Sequence, residues 1–96
     1  MALQDRYNME LIRNASAELV YERVEELLKK RKDLCPCETC VLDLVAFALN
    51  RVTPRYFTSL VGDLHPDRIQ QKKLKVEIDL ALRAGLDRLH EHPHHA

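Results

Sequence analysis

Apolar residues recur at helical spacing along the first third of the chain. Between Asp5 and Lys32 most of them are separated by three or four positions, which is the period of an amphipathic helix. They are Met9, Ile12, Ala15, Leu19, Val20, Val24, Leu27 and Leu28. The pattern predicts a first helix over about residues 5–32, and Pro36 prevents its continuation because proline lacks the backbone N–H that a helix interior requires.

A second segment is apolar on nearly every side. Residues 38–51 predict a helix in which Asp43 is the single charge between Val41 and Asn50. A helix with this composition must be covered all round, and a chain of 96 residues has few other helices to cover it. We therefore expect the second helix to lie in the core of a homodimer.

A third helix is predicted over about residues 66–89, after an extended connector around Pro54. Its apolar face consists of Leu74, Ile78, Ala81, Leu82, Gly85 and Leu89. Residues 90–96 form a polar, histidine-rich tail that we expect to be flexible. No segment predicts a strand. The expected fold is all-α: one small domain over residues 1–96 with about three helices, forming an antiparallel homodimer with a cysteine-rich corner.

Composition excludes several classes of function. The 15 basic and 15 acidic side chains cancel, so there is no overall field to attract nucleic acid. No apolar run is long enough to span a membrane. There is no nucleophile–base pattern and no phosphate-binding loop, which argues against an enzyme. An odd, clustered set of cysteines is typical of a metal site in a reducing compartment, so we expect a cytoplasmic protein.

The strongest chemical signal is the run Cys35-Pro36-Cys37-Glu38-Thr39-Cys40, which contains all three cysteines of the chain. Three thiolates this close can surround one metal ion, and zinc prefers thiolate ligands in structural sites. The alternatives are buried, small apolar cysteines or a redox pair of Cys37 and Cys40. We interpret the cluster as a structural Zn²⁺ site with Cys35, Cys37 and Cys40 as ligands.

A tetrahedral zinc ion needs a fourth ligand, and the sequence leaves its identity open. The candidates are His65, a histidine of the tail, a water molecule or a residue of the partner chain. The tail histidines are His90, His92, His94 and His95.

The stretch from Cys35 to Gly62 resembles the late competence development protein ComFB family. The resemblance rests on the compact cysteine cluster and on a core in which Ala48-Leu49-Asn50-Arg51 is followed by Pro54 and Tyr56. It implies a small helical homodimer with a cysteine-bound zinc. Some members of the family are receptors for cyclic di-nucleotides, particularly cyclic di-GMP, and others are known only from competence operons. Members with a full zinc site have a fourth cysteine near the C-terminus, which this chain lacks.

A cyclic di-nucleotide presents two phosphates and two purines, which arginine can bind through paired hydrogen bonds and by stacking. The candidate binding residues follow the apolar helix and are Arg51, Arg55, Tyr56, Thr58 and Ser59. Charged residues are more often simply solvated, and a tyrosine after proline is often a packing anchor. Two functions therefore remain: a signalling receptor for cyclic di-GMP that acts through a regulatory protein, or a structural zinc-binding adaptor of competence or envelope machinery that binds no small molecule.

Overall fold

The chain is mostly helical, and the computed structural model describes residues 1–58 and 68–91. Its helices are α1 (Leu3–Arg6), α2 (Ala15–Lys30), α3 (Glu38–Leu49) and α4 (Arg68–Glu91), with a 3₁₀ turn at Met9–Leu11. Two very short strands, β1 (Arg13–Asn14) and β2 (Tyr56–Phe57), pair with each other. None of the helices in the described ranges combines the length and the apolar character needed to cross a bilayer.

The predicted first helix is wrong in its N-terminal third. The long helix α2 begins at Ala15 rather than near Asp5 because Asn14 caps it. The side-chain oxygen of Asn14 accepts hydrogen bonds from the backbone N–H groups of Ser16 at 3.1 Å and Ala17 at 3.4 Å. Asparagine is among the preferred residues at this position, where it satisfies amides that have no partner within the helix.

The expectation that the chain contains no strand is also wrong. β1 and β2 are antiparallel, with Arg13 opposite Phe57 and Asn14 opposite Tyr56. Each strand has two residues, so neither can show the alternation of apolar and polar positions by which a strand is recognised in a sequence. The pairing of β1 with β2 holds the segment before α2 beside the connector that follows α3.

The last helix extends beyond its predicted end. α4 ends at Glu91, so His90 belongs to the helix and not to a flexible tail. The remaining predicted tail, residues 92–96, lies outside the described residues. The same is true of residues 59–67, where the start of the third helix was predicted.

Helices α2, α3 and α4 pack around one core. Its buried members are Val20, Val24, Leu44, Ala48, Val52, Leu74, Ile78, Ala81 and Leu82. α3 contributes Leu44 and Ala48, so the chain itself covers one side of this apolar helix. On its other side Leu42 is 57% exposed. Cover of that side by a second copy remains a prediction.

Candidate metal centre

The three cysteines meet at the start of α3. Their sulfur atoms all lie within 4.8 Å of one another. Cys37 is the N-cap of α3, and its sulfur accepts a hydrogen bond from the backbone N–H of Cys40 at 3.4 Å. One turn of helix therefore brings Cys37 and Cys40 together, while the Cys35-Pro36 segment brings the third sulfur alongside.

Without a cation, three neighbouring thiolates repel one another, so the cluster disfavours the ionised form of its cysteines. A hydrogen bond with Cys37, desolvation and the neighbouring Cys35 raise the pKa of the Cys40 thiol to about 12. A divalent metal ion reverses this effect, because it stabilises the thiolate form of each ligand.

The separation of the sulfur atoms is compatible with one shared metal ion. Zinc–sulfur bonds of about 2.3 Å in a tetrahedral site place two ligating sulfurs about 3.8 Å apart. The three sulfurs of the cluster lie within 4.8 Å of one another, so small side-chain movements would bring them to this separation. The residues present could thus hold one metal ion through three thiolates and leave one coordination position for another ligand.

A cavity of about 460 Å³ adjoins the cluster and reaches the end of α4. Cys35 and Cys40 line it on one side, and His90 and Asp87 line it on the other. Of the histidines considered as a fourth ligand, His90 is the one in the described part of the chain. His65 and residues 92–96 lie outside it.

A second cavity, the connector cavity, contains two of the predicted nucleotide-binding residues. It has a volume of about 730 Å³, and Arg55 and Tyr56 belong to its wall. The remaining lining residues come from α2, the connector and α4: Ala15, Glu18, Leu19, Glu22, Pro54, Phe57, Gln71, Leu74 and Lys75. Tyr56 is 68% exposed, so its ring is accessible.

The other predicted nucleotide-binding residues do not line this cavity. The guanidinium carbon of Arg51 lies 4.3 Å from the centre of the Phe47 ring, an arrangement typical of a cation–π contact. Thr58 is half-buried and is not part of the cavity wall, and Ser59 lies outside the described residues. The structure therefore brings together Arg55 and Tyr56 but not the whole predicted set.

Sequence reasoning missed the acidic side of the connector cavity. Glu18 and Glu22 are four residues apart on α2, a spacing that places both on one helical face. Glu18 forms an ion pair with Arg13, which compensates its charge. The spacing of the two glutamates was visible in the sequence, but the short sheet that brings the connector beside α2 was not.

Comparison with known proteins agrees with the resemblance. The family model described as late competence development protein ComFB matches residues 13–93, which include α2, α3, α4 and the cysteine cluster. No match was found among curated proteins or among solved structures.

Proposed function

Since the chain belongs to the late competence development protein ComFB family, we propose that it is a non-enzymatic signalling module. In this proposal it is a zinc-bound, cytoplasmic homodimer that binds cyclic di-GMP and passes its bound state to a regulatory protein. Family membership by itself suggests a role related to competence. The observation that supports the finer proposal is the connector cavity, which has Arg55 and Tyr56 in its wall.

The chemistry of the connector cavity suits a nucleotide. Arg55 and Lys75 offer positive charge to phosphate, and the exposed ring of Tyr56 offers a face on which a base can stack. Stacking of a base on an aromatic side chain contributes about 1–3 kcal/mol. The volume of about 730 Å³ lies within the range of small-molecule sites.

Calorimetry with zinc-loaded protein tests nucleotide binding. We expect cyclic di-GMP to bind with a measurable heat and to raise the melting temperature. Arg55→Ala and Tyr56→Ala should each weaken binding about tenfold or more, which corresponds to the loss of one stacking or charged contact. Arg51→Ala is the matched control, because Arg51 does not line the cavity. Absence of both heat and a melting shift at micromolar nucleotide would overturn the receptor proposal.

The proposed role of zinc is structural. Bound by Cys35, Cys37 and Cys40, it would fix the turn that joins α2 to α3. His90 is our proposed fourth ligand, because it lines the same cavity as Cys35 and Cys40. When bound, zinc would supply the positive charge that keeps the three thiols ionised.

Metal analysis and cobalt substitution test this arrangement. We expect about one zinc per chain. His90→Ala should weaken metal binding about tenfold or more, because even residues that only support a ligand contribute this much. The absorption spectrum of the cobalt-substituted protein should change as the imidazole is replaced. Arg88→Ala is the control, since Arg88 is in the same turn of α4 but does not line the cavity. An unchanged cobalt spectrum in His90→Ala would exclude His90 as a ligand.

The second candidate is a structural zinc-binding adaptor without a small-molecule ligand. Glu22 favours it, because a carboxylate in the wall of the connector cavity repels phosphate. Tyr21 and Leu42, each more than half exposed, offer apolar contact area for another protein. A panel of nucleotides separates the two functions: the adaptor predicts the same melting temperature with every nucleotide while zinc remains bound.

A further inference from the structure

Helix α4 has apolar residues on two opposite faces. The inner face packs in the core through Leu74, Ile78, Ala81 and Leu82. The outer face has a second row, in which Ile69 is 67%, Val76 58% and Leu80 61% exposed. Steps of seven and four residues keep this row on one side of the helix.

An outer row of this kind is unusual on a helix at the surface. Such a helix normally has charged or polar residues opposite its core face. Here the surface around Val76 and Leu80 is a shallow apolar depression with Lys72, Lys73 and Glu77 at its edge. Contiguous exposed apolar surface with a polar rim is typical of a protein–protein contact.

The charges along the row favour one orientation of a second α4 helix. Lys73 lies seven residues before Leu80, and Asp87 lies seven residues after it, each about 10.5 Å along the helix. Asp87 is exposed and stands at the edge of this face, where it also borders the cavity beside the cysteines. A parallel pair would place Lys73 against the partner's Lys73. An antiparallel pair centred on Leu80 instead places Lys73 beside the partner's Asp87, and twofold symmetry repeats this ion pair.

We propose that the outer face of α4 binds the α4 helix of a second copy of this chain, antiparallel, with Leu80 on the twofold axis. This inference rests on the proposed homodimer and specifies its interface. It differs from the sequence-based expectation, in which the second helix forms the dimer core. α4 presents three large exposed apolar side chains in one row, whereas the exposed side of α3 presents Leu42.

Disulfide trapping tests the position of the axis. In this arrangement Leu80 faces the partner's Leu80, so Leu80→Cys should form a covalent dimer under mild oxidation. Val76→Cys is the matched control: the two copies of residue 76 would be about 12 Å apart along the helix, beyond the reach of a disulfide. Adding Ala84→Cys to Val76→Cys should restore trapping, because residues 76 and 84 would face each other. The wild-type protein, with zinc bound to its native cysteines, gives the background.

Sedimentation equilibrium tests the interface without a covalent bond. Leu80→Asp should abolish the dimer, and Leu42→Asp should leave it unchanged. Lys73→Glu should raise the dimer dissociation constant about fivefold, since exposed ion pairs are weak but this one occurs twice. Combining Lys73→Glu with Asp87→Lys reverses both charges of the pair and should return the dissociation constant to the wild-type value. Both leucines are exposed, so circular dichroism can establish that the variants fold.

The outcomes separate the interface from the dimer itself. A dimer that survives Leu80→Asp but dissociates in Leu42→Asp would overturn the α4 interface and leave the homodimer standing. A wild-type chain that is monomeric at all accessible concentrations would overturn both. Trapping by Val76→Cys alone at the level of Leu80→Cys would exclude the proposed register.

Discussion

The side-chain oxygen of Asn14 accepts a hydrogen bond from the backbone N–H of Arg55 at 2.9 Å. The same oxygen caps α2 through the amides of Ser16 and Ala17. The backbone carbonyl of Arg55 in turn accepts a hydrogen bond from Ala15 at 2.8 Å. One asparagine thus joins the start of α2 to the connector that forms a wall of the connector cavity.

Replacement of Asn14 should therefore destabilise the fold. Asn14→Ala removes a helix cap, which costs about 1 kcal/mol, and leaves the Arg55 amide without its acceptor, which costs about 1 kcal/mol more. Asn14→Asp keeps an acceptor oxygen and should stay within about 0.5 kcal/mol of the wild type. Urea denaturation measures both. Equal losses in the two variants would show that the acceptor oxygen is not the stabilising feature.

Replacement of Ser16, at the start of α2, should also destabilise the contact between α2 and the connector. It is 1% exposed, and its hydroxyl donates a hydrogen bond of 2.6 Å to the backbone carbonyl of Thr53. Ser16→Ala should lower the free energy of unfolding by about 1–2 kcal/mol, because it leaves this carbonyl without its donor. Thr53→Ala is the control: it retains the carbonyl and loses a hydroxyl hydrogen bond to Glu77. A larger loss in Thr53→Ala than in Ser16→Ala would contradict this account.

The parts of the fold that the sequence predicts are those set by local pattern. α3 follows from the nearly continuous apolar run after Pro36, and α4 follows from apolar residues at helical spacing. The proximity of the three sulfurs follows from their spacing. The break before α2 was missed, although Asn14 is a strong capping residue that also accepts a bond from Arg55, 41 positions away. That Arg51 does not line the connector cavity together with Arg55 could not be foreseen either. It depends on the contact of the Arg51 side chain with the Phe47 ring, which the sequence does not reveal.

Metal affinity should depend strongly on pH. Zinc binds thiolates, and the pKa of the Cys40 thiol is raised to about 12, so this group is protonated in the metal-free protein at neutral pH. Binding must therefore release its proton, and the apparent affinity should rise about tenfold per pH unit for each proton released. Stability contributed by zinc is then lost as the pH falls. Competition with a chelator between about pH 6.5 and 8.5 measures the slope, and Cys40→Ser should reduce it by about one proton. A slope that is the same in both proteins would contradict release from Cys40.

The close contact of α4 with α3 at Gly85 gives the last prediction. A Cβ atom on Gly85 would lie 2.8 Å from Cδ1 of Leu44 and 3.1 Å from Cδ1 of Phe47. Gly85→Ala gains about 1 kcal/mol of helix propensity but forces a buried leucine to move, which costs about 1–3 kcal/mol. We expect a net loss of about 1 kcal/mol. In the background of Leu44→Ala the nearer obstructing atom is absent and only the contact with Phe47 remains, so the same substitution should cost less or become neutral. A double-mutant cycle in urea measures this coupling, and additive effects would show that the two helices can move apart freely.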